Sequence, residues 1–85
     1  MIGMLAVSRA GNDRETTYVI IGEEGEYVYL SDGQIRTVDR PKRKNKKHIQ
    51  VIKKVQMDDQ SSDGYKDLEI KRTIKMYQEG ANVKS

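Results

Sequence analysis

The apolar residues of the first 55 positions come in short runs, each stopped by glycine, aspartate or a block of charge. "MLAVS", "TTYVIIG", "EYVYL", "QIRTVD" and "HIQVIKK" are all of strand length, and β-branched and aromatic side chains recur in them. Asp32-Gly33 between two such runs is the strongest local sign of a hairpin, and "EEGE" suits a short loop in which Gly25 takes a positive φ. Five strands within about fifty residues read as an antiparallel meander. In so short a chain, a small closed barrel is the economical way to avoid exposed strand edges. The expected fold is mainly β, a small five-stranded barrel.

The 85 residues include no Cys, Phe or Trp, so the core must come from Val, Ile, Leu, Met and Tyr, without disulfides or a thiolate metal site. A chain of this size buries only about 60% of its unfolded surface. In "EYVYL", Val28 and Leu30 fall on one face and Tyr27 and Tyr29 on the other. "YVIIG" is apolar on both faces, so something outside the barrel must cover that strand. The tail supplies a candidate after the polar break "DQSSDG". Ile70, Ile74 and Tyr77 lie at i, i+4, i+7, with Leu68 nearby, Gly80 placed as a C-cap and Asp67–Lys71 as an i, i+4 pair. The spacing predicts a helix near residues 67–78, docked on the barrel or loosely attached. The expected organisation is a barrel over 1–55 that includes a basic segment at 36–54, a polar linker at 56–64, a helical appendage at 65–80 and a mobile tail at 81–85. "MIGMLAV" is too short for a signal peptide, and no run approaches the ~20 apolar residues of a membrane span. A soluble cytoplasmic protein is expected.

Charge is unevenly placed. Residues 1–35 sum to −4, residues 36–54 to +8 and residues 55–85 to −1. The middle stretch sets nine Lys and Arg against Asp39 alone and contains Pro41 and His48, the chain's only proline and histidine. Ordinary solvated faces mix both signs, so a run with almost no acid points to a polyanion partner. Pro41 fixes its own φ and pushes Arg40 towards extended geometry. Two expected strands frame the segment, so it would be a loop presented from a rigid base.

Catalytic chemistry has little to work with. There is no cysteine nucleophile, and His48 has no serine and carboxylate framework around it. P-loop and dinucleotide-binding fingerprints are absent. A lone histidine is a poor metal site, and Asp58, Asp59 and Asp63 lack the acidic twelfth position of a calcium loop. They read as solvated linker. No enzyme, metal or cofactor is expected.

"GMLAVSRAGNDRETTYVIIGEEGEYVYLSDGQIR" resembles a KOW motif, the short RNA-binding element of several ribosomal and transcription-elongation proteins. The matching residues are Gly3, Val7, Ser8, Ala10, Gly11 and Asp13, then Val19, Ile20, Asp32 and Gly33. The following "IRTVDRPKRKNKKHIQ" is similar to small bacterial KOW-domain RNA-binding proteins, which in turn resemble certain large-subunit ribosomal proteins. The match covers roughly residues 3–52, and "IKRTIKMY" is a weak match to the group's C-terminal helix. The resemblance implies an SH3-like barrel, a role in translation, and RNA as partner, ribosomal RNA or ribosomal particles in particular. Glu15 departs from the pattern. Many KOW motifs have a glycine there, which lets the loop turn tightly, and a glutamate adds negative charge where phosphate would approach.

The expected RNA contacts are Arg36, Arg40, Lys42, Arg43, Lys44, Asn45, Lys46, Lys47 and His48 in the basic loop, with Arg9, Asn12 and Arg14 at the KOW loop as a second contact. Such phosphate contacts position a protein without reading bases. His48 either packs at a strand start or joins the patch. Tyr27 and Tyr29 share a face as base-stacking aromatics do, but covering the barrel exterior beneath the helix or a loop is the plainer role. Two rival readings are a nonspecific DNA binder and a protein–protein adaptor of the translation or transcription machinery. The adaptor would use the acidic first third and the apolar helix face as its surface for a protein partner.

Overall fold

The computed structural model describes residues 1–57 and 64–83. Five strands form one antiparallel sheet: β1 (Met4–Ser8), β2 (Thr17–Glu24), β3 (Tyr27–Ser31), β4 (Lys42–Asn45) and β5 (Ile49–Gln56). A 3-10 turn at Lys46–His48 joins β4 to β5, and helix α1 covers Asp67–Val83. Among the described residues no helix is long and apolar enough to cross a membrane. The sheet order β4-β3-β2-β1-β5 puts β4 and β5 at opposite edges. In a flat sheet those edges would lie about 19 Å apart. The four residue steps from Asn45 to Ile49 reach at most about 14 Å, so the sheet has to curl. It stays open along the β4–β5 seam, where the sequence led us to expect closure, because no ladder joins the two strands among the described residues.

β2 lies in the middle of the sheet and is buried on both faces, as its unbroken apolar run requires. Tyr18 and Ile20 pack with Ala6, Val28 and Leu30 on the concave side, while Val19 packs with Leu5, Ile70 and Ile74 on the other. The helix therefore covers the second face and is docked. Half-buried Val38, Ile52, Met57, Tyr65 and Tyr77 extend that outer cluster. β2 and β3 are joined through Gly25-Glu26, with positive φ at Gly25 alone, which fits a type II′ turn.

Four expectations need correcting. "QIRTVD" (34–39) is not a strand. The Asp32 carboxylate accepts from the amides of Gln34 and Arg36, and the Arg36 carbonyl accepts from Ser31 Oγ and from the amides of Asp32 and Gly33. These bonds fold the segment back on itself, so Asp32-Gly33 opens a long β3–β4 connection instead of a tight hairpin turn. The fourth strand is instead Lys42–Asn45, inside the basic segment, so that segment is itself part of the sheet and not a framed loop. The helix runs on to Val83, with Gly80 inside it and without positive φ, so Gly80 is no C-cap. Lys75 and Glu79 form the i, i+4 pair, at 4.0 Å, while Asp67 turns to the Val38 amide at 2.7 Å. The bulk of the expected linker, 58–63, and the last two residues lie outside the described residues.

Gly33 is where helix and sheet meet most closely. It has φ +76, and a Cβ there would collide with the Asp67 carbonyl oxygen and lie 3.0 Å from the Lys71 amide nitrogen. Gly33→Ala should therefore cost about 2–3 kcal/mol through overpacking and a left-handed backbone. Hydrogen exchange at the Ile70–Tyr77 amides should quicken while the sheet stays protected. Unchanged exchange in the helix would mean that its docking does not depend on this approach.

Candidate nucleic-acid interface

β4 pairs with β3 in the register Val28↔Lys44, Tyr29↔Arg43 and Leu30↔Lys42. Facing residues of an antiparallel pair share a side of the sheet. Lys42 and Lys44 therefore point to the concave side, with Leu30 and Val28. Arg43 and Asn45 point outward, with Tyr29 and Tyr27. The Arg43 guanidinium sits 3.9 Å above the centre of the Tyr27 ring, a cation–π contact that fixes its orientation. Tyr29 lies against Gly22, whose missing side chain makes room for its ring, and its hydroxyl donates to Glu24. Neither tyrosine belongs to the cluster beneath the helix.

The two inward lysines converge on one carboxylate, that of Asp13. Lys44 Nζ lies 2.7 Å from Oδ1 and also donates to the Ala10 carbonyl, and Lys42 Nζ lies 3.2 Å from Oδ2. Ser8 Oγ donates to Oδ1 and the Tyr18 hydroxyl to Oδ2, each at 3.0 Å. The Asp13 and Lys44 side chains are only 12% and 10% exposed. Burial alone would raise the Asp13 pKa, but its bonds to Lys44, Tyr18, Ser8 and Lys42 outweigh that and hold it well below the usual carboxylate range. Tyr18 is shifted upward by burial and then by its bond to Asp13.

The loop carrying Asp13 closes through a bulge. The Glu15 amide donates to the Ser8 carbonyl, while the Ser8 amide donates to the Thr16 carbonyl, so two residues oppose one. The Thr16 amide also donates to the Asp13 carbonyl, which makes Glu15 the third residue of a turn, at φ 71. That conformation favours glycine. A glycine at this point would have a backbone reason, and Glu15 occupies the conformation regardless. Replacing Glu15 with Gly should stabilise the fold by about 1 kcal/mol relative to Glu15→Ala, read from paired denaturant melts. Equal stability of the two variants would mean that the bulge relaxes without strain.

The twelve expected contact residues have different surroundings. Asn12, Arg36 and Lys42 line one cleft. Arg43 projects from the outer sheet face, and Asn45 spends its side-chain oxygen capping the Lys47 amide. Lys46 pairs with Glu23. Arg9 donates its guanidinium to Gln50 and its amide to the His48 carbonyl. His48 is exposed at the end of the 3-10 turn, so it does not pack at the strand start. Arg14, Arg40 and Lys47 are exposed. Asp13 was legible as a motif residue but not as an anchor, because its partners Lys42 and Lys44 come from the far side of the sequence. Among the described residues no three His, Asp or Glu side chains gather as a metal site would require. Compared with known families and characterised proteins, the chain matches no family model and no curated protein.

The Asp13 cluster fixes a pH dependence. A carboxylate with a lowered folded pKa contributes stability that is present above its unfolded value, near 4, and is lost as pH falls below it. Asp13→Asn should cost about 3 kcal/mol at pH 7, since two ammonium groups would then face each other with no carboxylate between them. Melting temperature should also fall less steeply below about pH 4 in the variant than in the wild type. Parallel acid limbs would show that Asp13 does not set this slope.

Proposed function

We propose that this chain is an SH3-like, KOW-type domain that binds structured RNA by electrostatic docking on phosphates. The observation that carries the reading is the set of cations left once the fold has used its own. Lys42 and Lys44 serve Asp13 and Lys46 serves Glu23, whereas exposed Arg36, Arg40, Arg43, Lys47 and Lys53 form no ion pair among the described residues. Asp39 is the sole acid in 36–54. Arginine forks suit phosphate oxygens, and Arg43 is held ready on Tyr27. Strand order, the three-residue link between the edge strands and the left-handed residue at the bulge support the SH3-like KOW reading. The resemblance of residues 3–52 to KOW proteins supplies RNA as the polyanion, ribosomal RNA or ribosomal particles as its source, and the cytoplasmic translation machinery as its place. A-form major grooves exclude side chains, so any base specificity comes from shape or from splayed bases.

The test pairs crosslinking in cells, followed by sequencing of bound RNA, with salt-dependent binding in vitro. A variant with Arg36, Arg40, Arg43 and Lys47 changed to Gln should keep the fold, because none of the four is in an ion pair and the exposed Arg43–Tyr27 contact contributes only about 0.5–1 kcal/mol. Its ribosomal RNA crosslinks should vanish. Affinity should drop at least about tenfold at moderate salt, and the slope of log K against log salt should shrink by about 3. Wild-type crosslinks at background would remove RNA as the partner and favour a protein adaptor. Tighter binding to duplex DNA than to structured RNA would favour the nonspecific DNA binder.

A further inference from the structure

The loop over residues 10–16 and the turn over residues 32–36 face each other across a cleft of about 300 Å³. Asn12, Thr16, Tyr18, Ile35, Arg36 and Lys42 line it, with Asp13 and Asp32 among its walls. We infer, on the basis of the RNA reading above, that this cleft takes one unpaired nucleotide of the bound RNA. The base lies against Ile35 within reach of Asn12 and Thr16, and its phosphate stays at the rim on Arg36.

Ile35 is the first support. It is 85% exposed, the most exposed large apolar residue among those described. A loose loop would fold such a side chain against the protein. This turn cannot, because Asp32 Oδ1 holds the amides of Gln34 and Arg36, and the Arg36 carbonyl takes Ser31 Oγ and two further amides. The turn is therefore rigid and holds an isoleucine in water beside an arginine. Apolar contact with a base face and a fork for the adjoining phosphate are the two needs of a splayed nucleotide.

The charges inside the cleft decide which part of the nucleotide enters. Asp13 and Asp32 would repel a phosphate placed between the walls, but they do not repel a neutral heteroaromatic ring. Both carboxylates are occupied, Asp13 by four donors and Asp32 by two amides, so the walls are fixed and not seeking cations. Asn12 is exposed, and its side-chain amide bonds no described residue. That amide offers a donor and an acceptor to a base edge. The volume lies at the small end of ligand sites and suits one base, not a stack of several.

The test compares an RNA duplex interrupted by a one-nucleotide bulge with the same duplex fully paired. The wild type should prefer the bulged RNA by about fivefold or more. Ile35→Ser and Asn12→Ala, both at exposed positions, should each abolish that preference, Ile35→Ser without weakening binding to the paired duplex, and circular dichroism melts should match the wild type. Arg43→Gln should weaken both RNAs alike. Equal wild-type affinity for the two RNAs, or a preference that survives both cleft variants, would overturn the cleft assignment and leave RNA binding standing. Absence of binding to either RNA would overturn the RNA reading itself, and the cleft assignment with it.

Discussion

The ion pair between Asp13 and Lys44 is the contact on which the rest of the sheet depends. β4 has no apolar side chain to bury, so its place rests on its backbone ladder with β3 and on the reach of Lys42 and Lys44 across the concave side. Desolvating a carboxylate and two ammonium groups is unfavourable by itself. Here each oxygen of Asp13 accepts two donors, which come from β1, β2 and β4. A fully satisfied polar cluster of this kind rigidifies what it joins, since no member has a better arrangement available.

The helix does the corresponding work outside. Ile70 and Ile74 close the outer cluster over Leu5 and Val19, and the first helical turn presses on Gly33 while Asp67 takes the Val38 amide. Those last two contacts pin both ends of the segment that carries Ile35 and Arg36. The two walls of the cleft are thus positioned separately, one by the Asp13 cluster and the other by the start of α1. A contact surface made of loops acquires rigidity from elements that touch no ligand.

Periodicity made much of this legible. Val28 and Leu30 against Tyr27 and Tyr29, the two-sided burial of β2, the turn at Gly25 and the Ile70–Ile74 stripe all follow from spacing that hydrophobicity reveals. β4 escaped the same logic because its inward residues are lysines, so its alternation carries no hydrophobic signal. "QIRTVD" misled for the opposite reason. Ile35 and Val38 look like strand residues, but the Asp32 carboxylate takes the local amides that a ladder would need. The helix overran Gly80 because a glycine stops a helix only where the chain turns left-handed, and here it does not. For the site, the sequence located the charge but not its pairing. Lys44 finds Asp13 thirty-one residues back, a relation that only the fold creates.

The pairing changes what the basic segment means. Among the described side chains at 36–54, three cations pair with carboxylates of the chain, and all three are lysines: Lys42 and Lys44 with half-buried Asp13, and Lys46 with exposed Glu23. Lysine has a flexible stem and a compact charge, so it can thread past a neighbour to an inward carboxylate. Of the cations left facing solvent, Arg36, Arg40 and Arg43 have planar forks that match phosphate oxygens two at a time, while Lys47 and Lys53 offer compact charges. Within β4 the division follows from strand geometry alone. A period of two sends Lys42 and Lys44 to one side and Arg43 to the other, so one short run of charge secures the fold on its concave face and offers a cation on its convex face. Net charge therefore overstates this interface, and the identity of each cation at its register position describes it better.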